Sequence, residues 1–206
     1  MRRDGSRRLA WRSSVGKRIS LLVAVAFSLT AQDFRKACWG MTPDEVASTE
    51  GRPPSEVLER SGELTLRYQG ESFAGVPAIV SYIFARGRLV RAGHVFIARE
   101  PKNRFVGDYH DVDREAALLY GQAVSEQALW QGARYQSESK AYLDKDRSTP
   151  EEIFESDRYV GEELAEGNLK LYTQWTAGAT KIVHALIGGE GAITHQLEFV
   201  SLERPQ

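Results

Sequence analysis

Two histidines, His184 and His195, come nearest to chemistry by type and spacing in this chain of 206 residues. They lie in "ATKIVHALI" and "AITHQLEFVS", alternating apolar segments on either side of "GGEG". Alternation in period two marks half-buried strands, and the glycines mark a tight hairpin. A hairpin closed symmetrically about Gly189 and Glu190 sets His184 directly opposite His195, with Cβ atoms about 4.5–5.5 Å apart. It also sets Lys181 opposite Glu198 on the other sheet face. Two imidazoles at that distance could ligate Zn²⁺ or Cu²⁺, or respond to pH. Spacing supplies no third or fourth ligand, so no cofactor is implied. The plainer expectation is a hydrogen-bonded pair among Ile182, Leu186, Ile193 and Leu197. His94 and His110 are isolated in sequence and carry no signal of their own.

Other chemistry is sparse. Glu45 and Glu115 recur at matched positions and could pass for paired carboxylates, but both suit the first turn of a helix, where the dipole favours an anion. There is no serine nucleophile elbow, phosphate-binding glycine loop, paired-cysteine metal motif or HExxH. The chain has a single cysteine, Cys38, so no disulfide can form within it. Cys38 is expected as a small, buried hydrophobe. Of the aromatics, Tyr68, Tyr82 and Trp175 fall on expected strands and are the best candidates for contacts with a protein partner, since Tyr and Trp dominate interface hot spots.

The elements that must position these residues begin after a leader. Arg2, Arg3, Arg7, Arg8, Arg12, Lys17 and Arg18 precede the apolar "ISLLVAVAFSLTA". That run is shorter than the roughly 20 residues a spanning helix needs, and its basic flank marks a secretory signal peptide over residues 1–31. Cleavage is expected after Ala31, giving a periplasmic or secreted protein that touches the membrane only if the signal stays uncleaved. The net charge of −1 hides an acidic remainder, which argues against nucleic-acid binding.

"CWGMTPDEVASTEGRPP" is a fully punctuated helix. Thr42 and Glu45 form a capping box, Pro43 sits at the first helical position, and Met41 staples to Val46. Gly51 and Pro53-Pro54 stop the helix. Ser55 then caps a second short helix, "EVLER", closed by Gly62. The same spacing returns in "DVDREAALLYGQAVSEQALWQG", where Gly51 matches Gly121, Ser55 matches Ser125 and Gly62 matches Gly132. Three strands follow each block: "LTLRYQG", "GVPAIVSYIF" and "RLVRAGHVFIA", then "LKLYTQW", "ATKIVHALI" and "AITHQLEFVS". Arg86-Gly87 turns one hairpin, Val80 answers Val183, and Phe96 answers Phe199. The expected fold is α+β: two tandem helix–helix–three-strand units, helices packed on one face of an antiparallel sheet. Their bounds are 32–98 and 111–206, with a linker at 99–110. A charged insertion at about 134–167 carries a helix cap at Thr149, Pro150 and Glu152.

The block "GMTPDEV…EGRPP" with three strands after it resembles the BamE/SmpA-like repeat of bacterial envelope proteins. Two such units in one secreted chain resemble the β-lactamase-inhibitor-protein arrangement, the BLIP-like fold. The resemblance implies a non-enzymatic protein-binding or scaffolding module whose free sheet face holds an envelope or secreted protein. The lipidated cysteine of BamE-type proteins is missing, as Cys38 does not directly follow the apolar run and "FRKA", with two cations, precedes it. Two alternatives compete: a small metal-dependent enzyme using His184 and His195, and a carrier of a small molecule or lipid between sheet and helices.

Overall fold

The computed structural model describes residues 33–98, 104–131, 160–189 and 192–203. The signal segment, its cleavage point and the cap at Thr149, Pro150 and Glu152 lie outside those residues. Helix α1 (Pro43–Glu50) is followed by β1 (Glu56–Arg60), β2 (Glu63–Phe73), β3 (Val76–Ala85) and β4 (Arg88–Phe96). Helix α2 (Arg104–Tyr120) is followed by β5 (Ser125–Trp130), β6 (Leu169–Ala177), β7 (Thr180–Gly189) and β8 (Ala192–Ser201). Residues 160–165, just before β6, are also helical.

The punctuation of α1 forms as its residues dictate. The Thr42 side chain accepts from the Glu45 amide while the Glu45 carboxylate accepts from the Thr42 amide. Gly51 ends the helix at φ 70°, and its N–H donates to the Ala47 carbonyl. At the matched position Gly121 has φ 84° and donates to Ala117, so both helices end in the same left-handed cap. Upstream, the Gly40 N–H donates to the Leu89 carbonyl, and the Leu89 N–H donates to Met41. The residues before α1 thereby bond to the start of β4.

Two helix–helix–three-strand units do not form. The strands make one eight-stranded antiparallel sheet, in the order β1-β2-β3-β4-β8-β7-β6-β5. Each expected second helix is a strand: "EVLER" is β1, and Ser125–Trp130 is β5. Five residues are too few for a helix to stand alone, because nucleation costs more than one turn returns. Pairing with β2 satisfies the same backbone through a two-residue turn, Ser61-Gly62, with φ of 54° and 80°. Helix α2 starts at Arg104, so the expected linker at 99–110 shrinks by about two turns.

The order is the same read from either edge: two four-stranded meanders meet where β4 pairs with β8. On one face of the sheet the alternate residues Tyr68, Val80, Tyr82, Leu197 and Phe199 are buried in one core cluster with Val46 of α1 and Val112 and Ala116 of α2. A second cluster joins Phe105, Val106 and Tyr109 of α2 to Val160, Leu164, Leu169 and Leu186. We call this the closed face, and the other the open face. A bulge in β4 leaves Val90 between the pairs Ile83↔Arg91 and Phe84↔Leu89. The extra residue shifts the repeat by one across that hairpin, so Phe96 and Phe199 both face the core. Val80 does too, whereas Val183 lies on the open face.

Candidate functional site

The His184 and His195 side chains do meet, but not as directly opposed residues. The β7–β8 hairpin closes with Gly189 opposite Ala192, so His184 pairs with Leu197 and His195 with Leu186. Lys181 correspondingly faces Val200, and Glu198 faces Val183. The register differs from the symmetric expectation by two residues, which keeps both histidines on one face and makes them diagonal neighbours. Their rings lean together until the two Nε2 atoms are 2.8 Å apart.

Three partners come from elsewhere. Tyr109 and Asp113, one turn apart on α2, face the sheet; Thr173 on β6 lies opposite His184. Asp113 Oδ1 is 2.6 Å from His184 Nδ1, and Thr173 Oγ1 donates to Asp113 Oδ2 at 2.8 Å. The Tyr109 hydroxyl lies 2.9 Å from Thr173 Oγ1. A carboxylate only accepts, and with both imidazoles neutral this fixes the proton positions along the whole line. Tyr109 O–H donates to Thr173, and Thr173 O–H donates to Asp113. His184 Nδ1–H donates to the other carboxylate oxygen, leaving His184 Nε2 as acceptor for His195 Nε2–H. Every bond is satisfied with both imidazoles neutral.

The surroundings favour that neutral state. His184 is fully buried, and its ring stacks on Tyr109 with centroids 4.1 Å apart. His195 packs on Phe96 at 4.2 Å. Burial pushes the His195 imidazole down to about 2, with His184 beside it adding to the fall. Burial also lowers His184, against the opposing pull of Asp113. The Tyr109 phenol is raised by burial and by the Asp113 charge.

An aspartate orienting a histidine is half of a relay for general-base catalysis. Here the atom that would take a substrate proton, His184 Nε2, is occupied by His195. A tetrahedral metal would need the two Nε2 atoms about 3.3 Å apart and two further ligands. Among the described residues no group of three or more His, Cys, Asp or Glu side chains is placed to hold a metal ion. What the line does physically is clamp α2 to β6, β7 and β8.

The remaining candidates are core residues. Tyr68 and Tyr82 are fully buried and Trp175 is 1% exposed, all on the closed face. Trp175 Nε1 donates to the Gly121 carbonyl at 3.1 Å, and Tyr82 donates to Glu50. Glu50 ends α1, where an anion opposes the helix dipole. Arg35 offsets this, with Nε 3.2 Å from Glu50 Oε1 and Nη1 2.7 Å from Glu71 Oε2; Arg52 also pairs with Glu71. Two cations thus balance two anions in a network that sequence reasoning missed. The Tyr109–Asp113 spacing was the available signal for the other network, concealed by assigning 99–110 to a linker. Trp39 finds its role in a hydrogen bond from Nε1 to Thr180 Oγ1 at 2.9 Å, joining the approach to α1 to the start of β7.

With both sites in place, similarity adds nothing. No family model matches this chain, and neither a curated protein nor a solved structure matches it significantly. Among the described residues no helix is long and apolar enough to cross a membrane.

Proposed function

We propose that the protein is an exported, non-enzymatic protein-binding or scaffolding module of the bacterial cell envelope, related in kind to BamE/SmpA-like and BLIP-like proteins. One observation carries this: the sheet's two faces are built differently. The closed face is covered by its own core, with two polar networks tying the helices to it. The open face carries Ile79, Ile83, Val95, Ile97 and Val183, with Val95 40% and Ile97 47% exposed. Between them Arg91 bridges Glu63 and Glu198. Apolar residues bordered by charge are the composition of a partner surface.

A photo-crosslinking residue at Val95, expressed in cells, is expected to trap one reproducible protein, and the same residue at Ser48 on α1 is not. Substituting Ile97→Lys should weaken that adduct. Equal adducts from both positions, or none from Val95, would count decisively against a partner on the open face.

A further inference from the structure

We infer that β1 is a self-pairing edge and that two copies of this chain join through it into one continuous sheet. Strand β1 ends the sheet, and all five of its residues are exposed, Val57 at 56% and Leu58 at 36%. Hairpin geometry fixes which backbone groups are unused. With a two-residue turn, the closing pair Arg60↔Glu63 is hydrogen-bonded, and so are Leu58↔Thr65 and Glu56↔Arg67. Val57 and Glu59 therefore direct their N–H and C=O groups outward, away from β2. Exposed edges of this kind template pairing with another strand.

The sequence of the edge, Glu56-Val57-Leu58-Glu59-Arg60, is complementary to itself in antiparallel order. A two-fold axis at Leu58 sets Val57 against Glu59 of the second copy, and four backbone hydrogen bonds form. It also sets Glu56 against Arg60 of the second copy, twice, and Leu58 against Leu58. These last pairs are the non-hydrogen-bonded kind, whose side chains approach most closely. The charges extend a pattern already present. Arg67 bridges Glu56 at 3.0 Å, and Arg60 lies opposite Glu63. Across the joined edge the row becomes Glu63, Arg60, Glu56, Arg67, with every neighbour of opposite sign.

Pro53-Pro54 limit the pairing to five residues. That contact is smaller than a stable interface, so the dimer is expected to be reversible and concentration-dependent. This pairing does not depend on a partner at the open face, and Val95→Lys should leave it unchanged.

Sedimentation velocity over a concentration series tests it. The unaltered protein should shift from monomer to dimer as concentration rises. Arg60→Glu or Glu56→Arg places like charges opposite each other twice and should weaken dimerisation about tenfold or more. Mixing the Arg60→Glu chain with the Glu56→Arg chain sets opposite charges across the edge again and should recover dimerisation about tenfold relative to either variant alone. Val57→Pro removes an outward N–H without touching the β2 ladder and should give a folded monomer. A protein that stays monomeric throughout, a dimer that survives Val57→Pro, or mixed variant chains that pair no better than either alone each overturns the inference.

Discussion

Asp113 carries more of the buried line than any other residue, because each of its carboxylate oxygens satisfies a different strand. Asp113→Ala leaves the His184 Nδ1–H and the Thr173 hydroxyl without acceptors below α2. Thermal or denaturant unfolding should show a loss of about 2–4 kcal/mol, as expected for two buried groups left unpaired. An effect below about 0.5 kcal/mol would mean that the line is not a clamp. His94 has the opposite character. It is buried among Phe34, Phe73, Phe96 and Phe199, and its Nδ1 has no hydrogen-bond partner among the described residues. Burial and the nearby Arg35 push its imidazole down to about 4. Replacing such a group by an apolar one of similar volume removes a penalty rather than a contact. His94→Leu should therefore leave stability at pH 7 equal or higher, measured by the same unfolding curves.

At the scale of elements, the punctuated helix was legible and the short edge strands were not. Thr42, Pro43, Glu45 and Gly51 act through bonds to residues at most four positions away, so α1 forms where its sequence says. "EVLER" contains good helix formers after a serine, so its local pattern reads as a helix although five residues are too few to hold one alone. Only the presence of β2, with outlets for every second backbone group, makes it a strand. Another element-level contact is invisible in sequence. Gly188 on β7 lies so close to the end of helical residues 160–165 that an added Cβ would sit 1.6 Å from the Leu164 carbonyl oxygen. Backbone cannot yield to that cheaply. Gly188→Ala is expected to destabilise the protein by about 3 kcal/mol or more and to expose amides of residues 160–165 to hydrogen exchange. Unchanged protection there would show that this packing is unimportant.

Across the whole molecule, three histidines must stay neutral for the sheet to keep its helices. The unfolded chain binds protons on them near pH 6.5, whereas the folded chain resists until about pH 4 at His94 and about pH 2 at His195. Because folded-state values lie below unfolded ones for these bases, stability is full above pH 6.5 and falls as pH drops below it. His94 and His195 each cost about 2 kcal/mol by pH 5, and His184 adds a loss of the same sign. Glu71, held low chiefly by its hydrogen bond to Arg35, adds a loss of the same sign at more acidic pH. The melting temperature should fall steadily from pH 7 to pH 5, and His94→Leu should flatten that slope. A melting temperature independent of pH in that range would contradict the burial of neutral histidines.

The sequence by itself determined what depends on near neighbours: the caps and stop of α1, the left-handed glycines at 51 and 121, six of the strands and their face alternation. It also placed His184 and His195 on one face, since parity survives a register error of two. The tertiary structure alone decided the rest. It joined both halves in a single sheet, brought Asp113 and Thr173 to the histidines, and turned Tyr68, Tyr82 and Trp175 from candidate contacts into core. The physical reason is that alternation says which residues share a face but not which face becomes covered. That choice belongs to the helices that pack on the sheet, and to bulges such as Val90 that reset the count.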